Sequence, residues 1–261
     1  MAQNPQVVIL CGGKGTRLRE RTEEIPKPMV EIGDMPILWH IMKLYSHYGF
    51  KDFILCLGYK GEAIRKFFVQ YGRWRKKNFV LDSQKIRYFN NEKDDIEDWR
   101  ISFVDTGPQT NTGGRIKKIE KYVRSSPFFV TYGDGLSDIN IAELLKYHRR
   151  HGKIGTLTCV KPRIQFGTVD LDKANAVVKY EEKPPSKKWV SGGFFVFDKE
   201  LFSHINDNDI LEAEVFNRLV KKRELVGHCF GGYWECMDTY KDTQRLNDLW
   251  ASGHAPWKAW P

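Results

Sequence analysis

Val7-Val8-Ile9-Leu10-Cys11-Gly12-Gly13-Lys14-Gly15-Thr16-Arg17 is the stretch on which the fold turns. Its first four residues are an unbroken, β-branched apolar run, the pattern of a strand buried on both faces. Three glycines in the next positions let bare backbone N–H groups come close to an anion. Arg17 adds a planar fork that matches phosphate. Further on, Pro26-Lys27-Pro28 holds a second cation on a stiff stem. The plain alternative is a tight turn with two solvated cations. The joint presence of loop, arginine and proline-flanked lysine behind a buried strand weighs against it.

Outward from this stretch, strand and helix signals alternate. Strands are expected at residues 7–11, 53–57, 86–89, 101–104 and 128–131, and helices at 36–48, 61–71, 114–123 and 139–151. In the first helix Ile37, Ile41, Leu44, Tyr45 and Tyr48 recur at three- and four-residue spacing. Beyond residue 155 the strands shorten, at 155–160, 168–171, 176–180 and 193–197, with helices at 210–220 and 240–250. A tail rich in Trp and Pro is expected to pack on another surface. Such alternation predicts an α/β fold: a Rossmann-like, mixed, mainly parallel sheet with helices on both faces. Ligands then sit at the carboxyl ends of the strands, where the glycine loop falls.

Composition narrows the classes. Hydrophobic residues make up 41% of the 261, and aromatic ones 13%, which suits a folded chain and not a disordered one. No stretch approaches the ~18 apolar residues of a membrane span, and the first residues lack the pattern of a secretory signal. The five cysteines are scattered without a C-x-x-C pair, so neither a zinc ribbon nor a disulfide framework is indicated. A reducing, cytoplasmic location fits best. The net charge of +9 leaves two partners open, nucleic acid or polyanionic small molecules. The basic runs are short and dispersed, and only residues 73–77, with Trp74 inside, have the look of an interaction surface. Neither a nucleic acid nor a membrane is therefore expected as a partner. His148 and His151 lie i,i+3 on a helix, but flanking Arg149 and Arg150 argue for a solvated helix end. His40 and His47 read as packing or surface residues.

The loop is neither of two common phosphate binders. Lys14 precedes Gly15 and Thr16, the wrong order for a Walker A loop, and no glycine completes a dinucleotide fingerprint. Gly12-Gly13-Lys14-Gly15-Thr16-Arg17-Leu18 followed by Pro26-Lys27-Pro28-Met29 instead resembles the signature of the sugar nucleotidyltransferases. Thr112-Gly113-Gly114-Arg115, Thr131-Tyr132-Gly133-Asp134-Gly135, Glu182-Lys183-Pro184, Gly192-Gly193-Phe194-Phe195 and Met237-Asp238-Thr239 follow in the family's order. The tail at residues 252–258 is similar to the branch that uses CTP and glucose 1-phosphate.

The resemblance implies an Mg²⁺-dependent transfer of CMP from CTP to α-D-glucose 1-phosphate, giving CDP-glucose and pyrophosphate, an opening step toward bacterial surface polysaccharide. It implies one domain over 1–261, with a nucleotide-binding part at 1–152 and an acceptor-binding part at 153–261. By the same resemblance Arg17 and Lys27 hold the triphosphate and stabilise the departing pyrophosphate. Leu10, Gly12, Gly13, Gly15, Thr16, Gly107, Thr112, Gly113 and Thr131 meet the nucleotide. Arg115, Glu182, Lys183, Ser191 and Gly192 meet the acceptor. Asp134 and Asp238 hold the metal, although position alone would make Asp238 a helix N-cap and Asp134 a turn residue. Homo-oligomers, often hexamers, are the family habit. The chemistry needs no general base, because the attacking phosphate oxygen is already ionised. It must instead neutralise roughly −6 of reactant charge. One position departs: Ser191 stands where the family carries Asn, so another phosphorylated acceptor, or another nucleotide, stays open. A catalytically silent binding member and a nucleic-acid binder are the readings from other classes.

Overall fold

The computed structural model describes residues 4–13, 15, 25–70, 79–82, 85–88 and 97–261. Thr16 and Arg17, the loop residues Lys14 and Leu18, and the basic run at 73–77 lie outside the described residues. In chain order the strands are β1 (Val7–Leu10), β2 (Glu31–Ile32), β3 (Met35–Pro36), β4 (Asp52–Leu57), β5 (Phe79–Asp82), β6 (Lys85–Tyr88), β7 (Arg100–Asp105), β8 (Phe128–Tyr132), β9 (Gly135–Ser137), β10 (Gly155–Val160), β11 (Thr168–Leu171), β12 (Val177–Glu181), β13 (Val190–Phe197), β14 (Leu225–Cys229) and β15 (Trp234–Cys236). The helices are α1 (Ile37–His47), α2 (Gly61–Gln70), α3 (Thr112–Lys118), α4 (Ile141–His151), α5 (Phe216–Lys221) and α6 (Tyr240–Ala251).

Val7, Val8 and Ile9 have no exposure at all, because β1 runs between β4 and β8 and parallel to both. The full sheet has the order β14-β10-β13-β8-β1-β4-β7. Only β13 is reversed, antiparallel to both β8 and β10. Period-two alternation splits the strand residues between two cores. Val7, Ile9, Phe53, Phe129 and Phe194 pack with α1 on one face. Val8, Leu10, Ile54, Val130 and Phe195 pack with Ile116 and Leu219 on the other. The sheet is thus mixed, mainly parallel and covered by helices on both faces. No helix among the described residues is long and apolar enough to cross a membrane.

Several boundaries differ from the sequence reading. Pro36 ends β3 and caps α1 in an extended conformation, so the helix begins one residue later. The segment expected as one helix at 114–123 is α3 followed by a 3₁₀ turn at Glu120–Tyr122. The segment at 210–220 is a π-helical turn, Leu211–Val215, running into α5. Strands β2, β3, β5, β9, β14 and β15 were not apparent from the sequence. Of these, β2, β3, β9 and β15 are only two or three residues long and carry too little alternation to register.

The tail packs as expected. Trp257 is fully buried and its Nε1–H donates to His40 Nδ1 at 3.4 Å. The opposite ring nitrogen of His40 lies 2.9 Å from the Ile32 carbonyl, which fixes a neutral imidazole with its proton on Nε2. Burial holds the His40 pKa down to about 4. A depressed histidine leaves the folded state with fewer protons than the unfolded chain. Its stability contribution is therefore present above pH ~6.5 and is lost as the pH falls toward 4, by roughly 3 kcal/mol for this one group. Urea midpoints measured across that window should fall more steeply for the wild type than for His40→Gln. Parallel curves would assign the acid sensitivity to other groups.

The helix end carrying His148 and His151 is not the solvated one expected. His148 is 2% exposed, and both rings bond the Thr156 hydroxyl, at 2.8 and 2.7 Å. Burial lowers both pKa values. The arginines between them point elsewhere because successive helix positions face different directions.

Candidate active site

Two cavities meet at Cys236 and Asp238, residues that line both. The smaller, about 570 Å³, opens at the end of β1. Leu10, Gly12, Gly13 and Gly15 line it together with Thr112 and Tyr132. The larger, about 960 Å³, is lined by Lys161, Arg163, Lys183, Trp189, Trp234 and Arg245, among others.

Lys27 sits on a 3₁₀ turn (Lys27–Met29) directly after Pro26 and is 8% exposed. Its ammonium lies 2.6 Å from Asp134 Oδ2 and 2.6 Å from Asp238 Oδ1. Burial works to lower its pKa, but the Asp134 charge and the hydrogen bonds to both carboxylates outweigh this and raise it. The amine is therefore a fixed cation.

The two carboxylates come together through strand register. Asp134 directly precedes β9, and Asp238 follows β15. These strands pair antiparallel with Cys236 opposite Gly135, and Met237 N–H donates to Asp134 O at 2.9 Å. Gly133 is required beside Asp134, since a Cβ there would lie 2.9 Å from Pro28 Cγ and 3.2 Å from the Leu10 carbonyl. Asp238 is not the helix cap that its position suggested. Thr239 caps α6 in a reciprocal box with Asp242, which leaves the Asp238 carboxylate for Lys27.

Asp134, Asp238 and Cys236 each offer a ligand atom within 4.8 Å of one another. Burial and the adjacent Asp134 charge push the Cys236 thiol well up, so it stays protonated. A protonated thiol is a poor donor for a hard ion, whereas paired carboxylates suit Mg²⁺. The donor set fits a magnesium ion held by Asp134 and Asp238, with phosphate oxygens and water completing the shell.

Arg115 was expected at the acceptor and lies instead beneath the glycine loop. It is 4% exposed. Its guanidinium donates to the carbonyls of Gly12 (3.0 Å), Leu57 (3.1 Å) and Gly107 (2.8 Å) and to the Thr106 hydroxyl (2.6 Å). A side chain at Gly12 would strike the guanidinium carbon at 2.1 Å, so only glycine lets the loop rest on it. Burial pulls the Arg115 pKa down from the usual arginine value. Arg115→Lys keeps the charge and loses the fork. Several buried carbonyls would then lack donors, at about 1–3 kcal/mol each. The variant is expected to have a lower urea midpoint and at least tenfold weaker nucleotide binding; an unchanged nucleotide affinity would make Arg115 a core residue alone.

The other expected residues divide. Thr112 lines the smaller cavity, and its hydroxyl donates to Glu212 at 2.7 Å while accepting from Leu211 N–H. Gly113 packs against the Asp209 backbone. Gly107 lies off the lining, and its carbonyl is taken by Arg115. Thr131, expected at the nucleotide, does not reach the cavity: it is 1% exposed, and strand alternation turns its side chain into the core beside Tyr45. Lys183 lines the larger cavity from a left-handed backbone position, φ 47°. Glu182 is exposed and bonds the Tyr180 hydroxyl. Ser191 and Gly192 are not among the residues lining either cavity; the Gly192 carbonyl accepts from Trp234 Nε1 at 2.7 Å.

Sequence reasoning passed over several lining residues. Glu212 bonds both Tyr132 and Thr112 in the smaller cavity. Cys236 ends β15 two residues before Asp238, and the turn that joins them, Asp238 N–H to the Cys236 carbonyl at 3.1 Å, has no signal in the sequence. The cations of the larger cavity come from separate segments with no common motif.

A mixed sheet with a glycine loop, a lysine and two carboxylates brought to one cavity at the carboxyl ends of β1 and β8 defines a nucleotide-handling transferase. The family model described as nucleotidyl transferase matches residues 6–251, and the chain belongs to that family. It is 42% identical to a glucose-1-phosphate cytidylyltransferase of Salmonella typhimurium, over 98% of this chain and 99% of that protein. It is 40% identical to a probable glucose-1-phosphate cytidylyltransferase of Bacillus subtilis, over 98% and 100%. Among solved structures, HddC from Yersinia pseudotuberculosis shares the fold, with a TM-score of 0.68 at 23% identity over 94% of this chain and 99% of that one.

Proposed function

We propose that this chain transfers the cytidylyl group of CTP to the phosphate of α-D-glucose 1-phosphate and releases pyrophosphate. The observation that carries this reading is Lys27 bridging Asp134 and Asp238 at the seam of the two cavities. Full-length identity to relatives named for that activity supports the choice of substrates.

In this reading, residues 1–152 bring the nucleotide through the glycine loop, with Leu10, Gly12, Gly13, Gly15, Thr16 and Thr112 along it. Residues 153–261 bring the acceptor phosphate to Lys183 and its neighbouring cations. One oxygen of the sugar phosphate attacks the α-phosphorus; the new O–P bond forms as the bond to the β-phosphate oxygen breaks, and pyrophosphate leaves. No proton is abstracted, so the residues work by alignment and charge. Arg17 and Lys27 balance the charge that builds on the leaving pyrophosphate. Asp134 and Asp238 would hold Mg²⁺, which supplies further positive charge at the phosphates when bound. Arg115 acts through the loop that it supports.

The test is pyrophosphate release across a matrix of nucleoside triphosphates and phosphorylated acceptors. Release with CTP and glucose 1-phosphate above all other pairs is expected. A different best pair would move the substrate assignment, and no release with any pair would favour a binding role. We also propose a cytoplasmic location and self-association. The β11–β12 ribbon supports the latter: Leu171, Val177, Val178 and Tyr180 are each more than half exposed. Light scattering should give a mass above one chain, and Val178→Glu should lower it.

A further inference from the structure

Two of the five cysteines stand opposite each other on neighbouring strands. In the parallel pairing of β10 with β14, Cys159 is the register partner of Cys229. Adjacent strands lie about 4.8 Å apart, so the Cα atoms of facing residues fall within the span a disulfide bridges. Both side chains leave the same face, because register partners share the pleat. Cys159 Sγ lies over the glycine of the neighbouring strand: a Cβ at Gly227 would be 3.1 Å from it. That missing side chain leaves the sulfur room on the β14 side. The Cys159 thiol is raised by burial and then by the neighbouring Cys229. Cys229 is exposed and Cys159 half-buried, whereas Cys11 and Cys56 are buried, with burial pushing the Cys56 thiol up to about 12.

The position has a consequence for the larger cavity. Cys159 is followed by Val160 and Lys161, and Cys229 by Phe230 and Gly231, all four of which line it. Phe230 N–H donates to the Cys159 carbonyl at 2.9 Å, so the two rims lie side by side where a covalent bridge would tie them.

We propose that Cys159 and Cys229 are a reversible disulfide pair that clamps the β10–β14 edge of the larger cavity when a hydroperoxide is present. The exposed Cys229 thiolate attacks the peroxide; its sulfur gains oxygen to become a sulfenic acid, and the O–O bond breaks. The Cys159 thiol then displaces that oxygen, forming the S–S bond. In sum, two thiols are oxidised, the peroxide is reduced, and two waters leave for each hydrogen peroxide. A dithiol reverses the step by exchange. That the clamp acts on the acceptor rests on the cavity reading above.

The test treats the full chain with hydrogen peroxide, then counts thiols after unfolding and maps peptides without reduction. The wild type is expected to lose two of its five thiols, to give a Cys159–Cys229 cross-linked peptide, and to recover both thiols with dithiothreitol. Cys229→Ser and Cys159→Ser should each fail to yield any intramolecular cross-link while keeping wild-type pyrophosphate release before treatment. Five thiols remaining, a bridge between other cysteines, or a bridge between two chains overturns the pair. Kinetics of the oxidised wild type read the clamp separately. KM for the acceptor should rise severalfold with KM for the nucleotide unchanged, and a bridge that leaves both constants alone overturns the clamp. If no substrate pair releases pyrophosphate from the reduced protein, the functional reading fails while the thiol count still judges the pair.

Discussion

Asp134→Asn and Asp238→Asn are each expected to lower kcat by on the order of 10³-fold, the scale on which removing one well-placed electrostatic partner acts in acyl- and phosphoryl-transfer sites. Each carboxylate sits at the end of a short paired strand, fixed by the β9–β15 register, and each spends an oxygen on Lys27. Asparagine has nearly the same shape, so packing at Gly133 and Met237 is retained. What is lost is one of the two negative charges that fit a hard dication. The urea midpoint should stay near wild type, because the ammonium keeps one charged partner. Activity restored by higher Mg²⁺ would mark a loss of ion affinity. Full activity at ordinary Mg²⁺ in either variant would remove that residue from the metal site.

Lys27→Met is the second large effect, and it separates binding from turnover. The ammonium neutralises two carboxylates that would otherwise face each other across a few ångströms. With methionine there, the repulsion between them is relieved best by a divalent ion. Mn²⁺ binding without nucleotide, followed by calorimetry or paramagnetic resonance, should tighten about tenfold, one like-charge term near 1.4 kcal/mol. Turnover should nevertheless fall by about 10²-fold or more, since the cation proposed for the leaving pyrophosphate is gone. Weaker Mn²⁺ binding would mean that Lys27 organises the carboxylates rather than competing for them. The wild-type ion pair also has a pH signature. Because the folded Lys27 pKa is raised, its contribution is complete below the usual lysine value and disappears only as the pH climbs through the raised one.

Much of this was legible in the chain because it is written locally. The strand Val7–Leu10 and its glycine loop are contiguous, and the apolar run dictates burial on both faces before any tertiary contact is known. Lys27 was legible as a cation on a stiff stem, though not its partners. Those partners depend on β9 and β15, three residues each, too short to show a period. Thr131 was misplaced because a motif names residues without saying which face of the strand they take. Tyr132 beside it lines the cavity, and Thr131 faces the core. Arg115 was misplaced for a different reason. An arginine in a phosphate-handling chain suggests an anion, yet its fork is consumed by backbone carbonyls that no sequence pattern advertises. The lining of the larger cavity was the least legible, since its cations converge from distant segments.

The β9–β15 ribbon has one more consequence. Its two strands are separated by most of the second half of the chain, so pairing them closes a long loop. A nascent polypeptide, or a fragment ending at residue 152, carries the glycine loop and Asp134 but lacks Asp238, and on the function proposed above it should not turn over. The carboxylate pair is thus assembled only once the two halves of the chain have come together.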